Sequence, residues 1–305
     1  MKRPWLPLVL TSIALGLVLA QAPFLRLPSV PHNAAAGPDA PGSPTDAPGA
    51  VVPTPIFIDG PEARERIASE GDLARLYPDV VFRFGSSRAP HVAITFDDGP
   101  DDVYTPRILD VLGRYGAPAT FFVVGAMVER HLSVAERVVA EGHELGHHGY
   151  RHVDFTRLSD GEIREQLART AALLDVRLSR RPVTFRPPYS ALNPRTVEVI
   201  AEAGYKIVLW NIDSLDWRGL SGDAILANVV PHLKPGAVVL MHSAGGDLSG
   251  TVEALPLLLE ILADRGLKPV TISELFADQW AGTPPASPGP QQRPVPPPDA
   301  EPSPP

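Results

Sequence analysis

Four histidines lie within eleven residues of the chain, in the stretch GHELGHHGYRH (142–152). Two pairs among them have the i, i+4 spacing that is common in metal sites. The first pair, His143 and His147, encloses Glu144 and matches the HExxH signature of zinc proteases, in which the glutamate is the general base. The second pair, His148 and His152, has no glutamate between its members. The choice between these pairs determines which reaction the sequence predicts.

The protease interpretation requires both histidines on one continuous helix and generally a third ligand downstream. Three glycines interrupt the stretch and disfavour a helix. The longer metzincin pattern needs a glycine and a histidine at positions that hold Tyr150 and Val153. We therefore favour His148 and His152 as the metal pair, and expect His143 to be a structural residue or to support a ligand.

The composition excludes several classes of chemistry. The 305 residues contain no cysteine, so disulfides, a thiol nucleophile and a cysteine-zinc site are absent. The net charge of -8 and the absence of a basic cluster argue against binding to nucleic acid.

The sequence divides into five segments. Residues 1–26 combine two basic residues with an uncharged apolar run, which predicts a signal peptide or an N-terminal membrane anchor. A Pro/Ala/Gly-rich linker (27–55) and a short accessory segment (56–87) precede the main domain (88–278). A Pro-rich disordered tail (279–305) follows it. We expect the protein to be exported to the cell envelope or beyond, and to contact the membrane through its first segment if that segment is not cleaved.

Apolar runs alternate with helical patterns throughout the main domain. The runs HVAITFDD, ATFFVVG and GAVVLMH are almost wholly apolar, which indicates strands buried on both faces of a parallel sheet. The segments between them have helical spacing, and one begins with a capping box formed by Ser159 and Glu162. Six or seven such units predict an α/β fold with a small or incomplete (β/α) barrel of about seven strands.

Charged and imidazole side chains occur where the predicted strands end. In a (β/α) barrel, the carboxyl ends of the strands meet at one rim, where enzymes of this architecture place their chemistry. The residues at these ends are Asp97, Asp98, His148, His152, Arg186, Asp213, Asp216 and His242.

These residue types together favour metal-assisted hydrolysis of an amide or ester. Two imidazoles and one carboxylate form a three-ligand site that leaves a position open for water. A second carboxylate can take a proton from the attacking water, and an arginine can hold that carboxylate ionised. A histidine whose tautomer is fixed by a carboxylate can protonate a departing amine.

Five short motifs also occur in a recognisable order. They are TFDDGP (95–100), HGYRH (148–152), RPPY (186–189), DSLDW (213–217) and LMH (240–242). In these motifs the chain resembles the polysaccharide deacetylases of carbohydrate esterase family 4, which contain the NodB-homology domain. The resemblance spans about residues 88 to 278 and implies a distorted (β/α) barrel with fewer than eight strands.

The resemblance also implies a role for each matching residue. Asp97 corresponds to the general base and Arg186 to the group that tethers it. Asp98, His148 and His152 correspond to the ligands of a divalent metal, Zn²⁺ foremost, with Co²⁺, Ni²⁺ or Mn²⁺ as alternatives. His242 corresponds to the general acid and Asp216 to its carboxylate partner. The backbone N–H of Tyr189 corresponds to a donor for the oxyanion, and Trp217 to a wall of the acetyl pocket.

The expected substrate is an N-acetylated polysaccharide. Peptidoglycan is favoured because the linker would keep the domain within reach of a cell wall. Three alternatives remain open at this point: a chitin-oligosaccharide deacetylase, an esterase of O-acetylated glycans such as xylan, and a non-catalytic sugar-binding protein of the envelope. The sequence departs from the family pattern at His147, Gly149, Ser190 and Ser243, where Asn, Ser or Thr, Gly and Asp respectively are usual.

Overall fold

The structure is a computed structural model that describes residues 70–281. The predicted signal peptide or anchor (1–26), the linker (27–55) and nearly all of the tail (279–305) lie outside the described residues. Within residues 70–281, no helix combines the length and the apolar character needed to cross a membrane.

The described residues form nine short strands, numbered here in the order of the chain. They are β1 (Val81–Phe82), β2 (His91–Asp97), β3 (Thr120–Val123), β4 (Glu144–His147), β5 (Thr184–Phe185), β6 (Lys206–Val208), β7 (Ile212–Asp213), β8 (Val238–His242) and β9 (Lys268–Pro269). All of their pairings are parallel, and the order across the sheet is β1-β6-β5-β4-β3-β2-β8-β7, with β9 beside β2. The parallel sheet predicted from the apolar runs is therefore confirmed.

Ten α-helices within residues 70–281 connect and cover these strands. They are α1 (Glu70–Leu76), α2 (Tyr104–Tyr115), α3 (Gly125–Arg130), α4 (Leu132–Ala140), α5 (Asp160–Leu178), α6 (Pro194–Glu202), α7 (Gly222–Val229), α8 (Ser249–Asp264), α9 (Ile272–Leu275) and α10 (Ala277–Trp280). The capping box expected from Ser159 and Glu162 begins α5, and a second one, Asn193 with Thr196, begins α6.

The connection between β6 and β7 requires the sheet to curl. These strands are separated by five others in the hydrogen-bonded order, which in a flat sheet would place them roughly 29 Å apart. Only residues 209–211 join them, and a chain of that length spans at most about 14 Å. The two edges of the sheet must therefore approach each other, which produces the incomplete, distorted (β/α) barrel that the sequence predicts.

The described part of the chain has nine strands where the sequence predicts about seven, and two differences account for this. The sequence pattern of the run KIVLWNID (206–213) predicts one strand, but the run is divided because β6 pairs with β1 and β5 whereas β7 pairs with β8 on the other edge. In addition, β1 pairs with β6, so part of the segment 56–87 contributes to the sheet of the main domain. A strand of two residues has too few alternating positions to be recognised in a sequence.

The side chains of β2 alternate between two apolar layers. Ile94 and Phe96 are fully buried beneath the surrounding helices, in a cluster that includes Leu109 of α2 and Leu258 of α8. Truncating one of these leucines to alanine would cost about 2–5 kcal/mol of stability. On the other face, Ala93 belongs to a second apolar cluster inside the barrel. The strand ends are thereby fixed on both sides, and the polar residues that follow them have defined positions.

Candidate active site

The polar residues predicted at the strand ends lie around a single cleft. Because all the strands are parallel, their carboxyl ends share one rim of the barrel. The cleft at this rim has a volume of about 440 Å³. Its lining comprises Asp97, Asp98, His148, His152, Pro187, Tyr189, Ser190, Trp210, Asp213, Trp217, Leu240 and His242.

Asp98, His148 and His152 converge on one point of this cleft. Oδ1 of Asp98 lies 3.3 Å from Nε2 of His148 and 3.2 Å from Nε2 of His152. The ligand atoms of the three residues all lie within 4.8 Å of one another. Asp98 follows β2 in a left-handed conformation (φ 73°), and the two histidines follow β4.

The protonation of His148 identifies this point as suitable for a cation. Its Nδ1 is 2.6 Å from the backbone carbonyl of Arg186, so Nδ1 carries the proton and donates it. In the neutral ring, the lone pair of Nε2 then faces Oδ1 of Asp98, a buried oxygen without a hydrogen-bond partner in the described part of the chain. Two electron-pair donors facing each other leave an unsatisfied arrangement that a divalent cation would complete. The donor set, two imidazoles and one carboxylate, is that of a catalytic rather than a structural zinc site.

The two histidines also favour the ionised form of Asp98. Burial alone would raise the pKa of the Asp98 carboxyl group. When Nε2 of His148 and Nε2 of His152 carry protons, their hydrogen bonds and positive charge outweigh this effect and hold the pKa of Asp98 well below its usual range. Asp98 is therefore a carboxylate, the form required of a metal ligand.

Asp97 and Arg186 form a buried ion pair beside the three converging residues. Nη1 of Arg186 donates to Oδ1 of Asp97 over 2.8 Å, and both side chains are almost completely inaccessible to solvent. Burial lowers the pKa of the Arg186 guanidinium, while the charge of Asp97 opposes that change. Oδ2 of Asp97 lies 3.9 Å from Nε2 of His148, so the carboxylate extends from the arginine toward the metal cluster.

His242 lines the same cleft from the end of β8, beside Asp97 of the neighbouring strand, and is held by Asp216. Nδ1 of His242 is 2.7 Å from Oδ1 of Asp216, and the backbone N–H of His242 donates to Oδ2 over 2.8 Å. The hydroxyl of Thr251 also donates to Oδ2. Burial would lower the pKa of His242, but the hydrogen bond and charge of Asp216 raise it to about 9. The ring is thus an imidazolium at neutral pH, with Nε2 available on the side away from Asp216.

Two exposed aromatic residues lie at the entrance of the cleft. The ring of Tyr189 is 69 % exposed overall and makes an edge contact with the ring of His152, with centroids 4.4 Å apart. Tyr189 has a left-handed backbone (φ 59°), and its N–H donates to no backbone carbonyl within residues 70–281. Trp217 also lines the cleft and is 57 % exposed.

Comparison with known proteins gives a consistent assignment. A family model for polysaccharide deacetylase matches residues 85–208. A peptidoglycan-N-acetylglucosamine deacetylase from Bacillus cereus is 39% identical over 187 residues, which are 61% of this chain and 87% of the relative. The chain belongs to the polysaccharide deacetylase family. It is therefore a hydrolase with the NodB-homology fold, as the five motifs predicted.

Two further similarities lie within the same family. The crystal structure of the Bc1960 peptidoglycan N-acetylglucosamine deacetylase has a TM-score of 0.65 and 34% identity, and the alignment covers 67% of this chain and 96% of that one. A chitooligosaccharide deacetylase from Sinorhizobium fredii is 35% identical over 189 residues, 58% of this chain and 88% of the relative. Deacetylases of this family depend in general on a metal, and the cluster of Asp98, His148 and His152 has the composition of such a site.

The HELGH sequence does not form a second site. It lies at and within β4, where residues four apart are separated by about 13 Å, so His143 and His147 cannot bind one ion. His143 is buried and its Nδ1 accepts a hydrogen bond from the N–H of Ala119. Glu144 accepts hydrogen bonds from the backbone and hydroxyl of Ser273, far from the cleft. The zinc-protease interpretation is excluded by this geometry.

His147 has a structural role in place of the asparagine usual in the family. Its Nε2 contacts the carbonyl of Leu167 in α5, and its Nδ1 accepts from the N–H of Gly149. Burial lowers the pKa of His147 to about 4, so the ring is neutral. The residue connects α5 to the loop that carries His148 and His152.

Several residues of the site were not found from the sequence. Thr251 donates to Asp216 from the first turn of α8, and Thr95 accepts a hydrogen bond from Nη1 of Arg186. Trp210 lines the cleft from the crossover between β6 and β7. Thr251 and Trp210 belong to none of the five motifs, and Thr95 belongs to TFDDGP but has no role that the sequence assigns, so only the tertiary structure reveals their contacts.

Proposed function

We propose that this protein removes N-acetyl groups from N-acetylglucosamine residues of peptidoglycan, using a bound divalent cation. The observation that carries this proposal is the convergence of Asp98, His148 and His152 between a buried carboxylate–arginine pair and a protonated histidine. The names of the relatives support the substrate: one from Bacillus cereus, and one of known structure, are peptidoglycan N-acetylglucosamine deacetylases.

Asp98, His148 and His152 would hold the cation, with Zn²⁺ the best fit to their donor atoms and Co²⁺, Ni²⁺ or Mn²⁺ as substitutes. Such a cation, when bound, polarises a coordinated oxygen and makes water more acidic near neutral pH. Proton transfer and positioning are left to the other residues of the cleft.

In this mechanism Asp97 is the general base. Its carboxylate accepts a proton as water adds to the acetyl carbonyl carbon. Arg186 pairs its positive charge with Asp97 and fixes the orientation of the free oxygen of that carboxylate, because Nη1 holds only Oδ1. The backbone N–H of Tyr189 supplies a donor for the negative charge that develops on the carbonyl oxygen.

His242 completes the reaction as the general acid. Its imidazolium donates a proton to the amide nitrogen as the C–N bond breaks, which releases acetate and the sugar amine. Asp216 maintains both the charge and the tautomer of the ring, because it accepts from Nδ1 and leaves Nε2–H directed elsewhere. Trp217 would form an apolar wall for the acetyl methyl group.

We further propose that the protein is exported and that residues 1–26 either direct export or retain the domain at the membrane. The apolar run after Lys2 and Arg3 supports this proposal, and the linker at 27–55 would let the domain reach a cell wall. A chitin-oligosaccharide deacetylase is the second candidate function, because a chitooligosaccharide deacetylase is 35% identical over 189 residues.

The proposal is tested by acetate release from peptidoglycan, chitin oligomers and acetylxylan, measured in parallel with the purified full-length chain. We expect fastest release from peptidoglycan, loss of activity with a chelator, and recovery when Zn²⁺ or Co²⁺ is returned. Equal rates with and without chelator would contradict the metal mechanism, and faster release from chitin oligomers would favour the second candidate.

Two variants separate the roles of the adjacent aspartates. Asp98→Ala should lose bound metal as well as activity, whereas Asp97→Asn should retain the metal and lose turnover. Measurement of metal content in both proteins decides the assignment. A fully active Asp97→Asn protein would exclude Asp97 as the base.

A further inference from the structure

The loop at residues 243–248, which connects β8 to α8, lies directly against the carboxylate of Asp98. Gly245 in this loop has φ +98°, in the region that favours glycine. A β-carbon at Gly245 would lie 3.1 Å from Oδ2 of Asp98 and 3.9 Å from both Cβ and Cγ of that residue. The absence of a side chain at Gly245 is therefore what allows the loop and the carboxylate to approach this closely.

The loop is attached to the segment that carries Asp98 at three points. The backbone N–H of Ser243 donates to the carbonyl of Asp97 over 2.9 Å. The hydroxyl of Thr105 donates to the carbonyl of Ser243 over 2.9 Å. At the far end, the hydroxyl of Tyr104 donates to Oδ1 of Asp247 over 3.0 Å.

A second glycine, Gly99, is also needed where the segment after β2 contacts the 243–248 loop. A β-carbon at Gly99 would lie only 2.3 Å from Oγ of Ser243, so the segment after β2 also requires a glycine at the contact. The serine at 243, where the family frequently has aspartate, fits in this space as a small buried residue. The two loops thus meet through Gly99 on one side and Gly245 on the other.

We infer that the 243–248 loop is a positioning wall for Asp98, with Gly245 as its contact point. The wall closes the side of the carboxylate opposite His148 and His152, so that Oδ1 faces the two imidazoles and Oδ2 faces Gly245. Gly245 is a positioning residue in this assignment, because it acts on the cation only through Asp98. The inference rests on the proposed metal-dependent function.

Gly245→Ala is the direct test, and two other glycines provide controls. Gly142→Ala introduces a methyl group at a similar positive φ of +85° but in open space, and it therefore measures backbone strain alone. Gly246→Ala adds a methyl group to the same loop where no described atom lies within 4 Å. The measurements are Zn²⁺ affinity of the metal-free full-length chain by competition with a chromophoric chelator, and the visible spectrum of the Co²⁺ protein.

We expect Gly245→Ala to weaken Zn²⁺ binding by about 10- to 100-fold, the range typical of residues that orient metal ligands. The Co²⁺ spectrum should change because the carboxylate has shifted. The two control variants should bind Zn²⁺ as the native chain does, and Gly142→Ala should show a comparable loss of thermal stability in the metal-free state. Native-like Zn²⁺ affinity in Gly245→Ala would overturn the inference.

A milder pair of variants covers the case in which Gly245→Ala does not fold. Tyr104→Phe removes the attachment of the loop through Asp247, and Tyr115→Phe removes an equivalent exposed bond to Glu260 at the other end of α2. Tyr104→Phe should weaken Zn²⁺ binding several-fold relative to Tyr115→Phe, and equal affinities would again overturn the inference. If the native chain itself binds no Zn²⁺, the proposed function fails instead, so the two failures are distinguishable.

Discussion

Replacement of Asp216 by asparagine should move the pH dependence of the enzyme in a defined direction. Burial would lower the pKa of His242, but Asp216, with smaller contributions from the charges of Asp97 and Asp98, raises it from its ordinary value of 6.5 to about 9. This change corresponds to about 3 kcal/mol in favour of the imidazolium. Without the carboxylate, burial becomes the dominant influence, and the pKa of His242 should fall well below 9. A smaller fraction of His242, the proposed general acid, would then be protonated at pH 7.

The same pair contributes to stability with a predictable sign. Because the folded pKa of His242 lies above its unfolded value, the contribution is complete below about pH 6.5 and is lost as the pH rises toward about 9. The difference in free energy of unfolding between the native protein and Asp216→Asn should therefore be larger at pH 6 than at pH 9.5. Part of the difference persists at high pH. The carboxylate of Asp216 accepts three hydrogen bonds, from the backbone N–H of His242, the hydroxyl of Thr251 and Nδ1 of His242. The single amide oxygen of asparagine cannot accept all three.

The assay is the pH profile of kcat/KM for acetate release, with urea denaturation at both pH values. The alkaline limb of the native profile should shift to lower pH in Asp216→Asn. Asp213→Asn is the matched control: it removes a second carboxylate of the cleft, whose Oδ1 accepts from the N–H of Leu215 rather than from His242. An alkaline limb that stays in place in Asp216→Asn, or that shifts equally in Asp213→Asn, would refute the reasoning.

Three other substitutions have expected outcomes. Arg186→Met should lower the free energy of unfolding by about 3–5 kcal/mol in urea denaturation, because it leaves the buried carboxylate of Asp97 without its ion-pair partner. A loss below about 1 kcal/mol would show that other groups stabilise the buried charge of Asp97. His143→Gln should retain the full metal content, as measured by atomic absorption. Loss of the metal would instead support the HELGH residues as metal ligands. Thr251→Val should lower the free energy of unfolding by about 1 kcal/mol, because Asp216 loses one hydrogen-bond donor. It should also change kcat more than KM, and an unchanged kcat would show that Thr251 contributes only to packing.

The convergence of the candidate site residues could be predicted from the sequence because these residues occur at strand ends. Asp97 and Asp98 directly follow an apolar run, and His242 ends another, so a parallel sheet is sufficient to bring them to one rim. The choice of His148 and His152 over the HELGH pair also followed from local features, namely glycines that disfavour a helix. In each case the information lies within a few consecutive residues.

The features that were not predicted depend on contacts between distant parts of the chain. Thr251 lies 35 residues from Asp216, and a threonine at the start of a helix has no distinctive pattern. The separation of β6 from β7 depends on which neighbours each strand pairs with, and the hydrophobic run is the same in either case. Gly245 is part of a Gly-Gly sequence typical of any turn, and its contact with Asp98 appears only when the loops after β2 and β8 come together.

Arg186 illustrates why this fold and this site depend on each other. Its guanidinium donates to Thr95 and Asp97 on β2 and also to the carbonyls of Val208 and Leu209, where the chain crosses between the two edges of the sheet. Its backbone carbonyl accepts from Nδ1 of His148. One residue therefore connects the proposed base, a proposed metal ligand and the closure of the barrel. Because these partners are shared, substitutions at Arg186 and at Asp97 should not be additive, and a double-mutant cycle would measure that coupling. The buried charge is stable here because the end of β6 and the start of the crossover supply two carbonyl acceptors in addition to the carboxylate of Asp97.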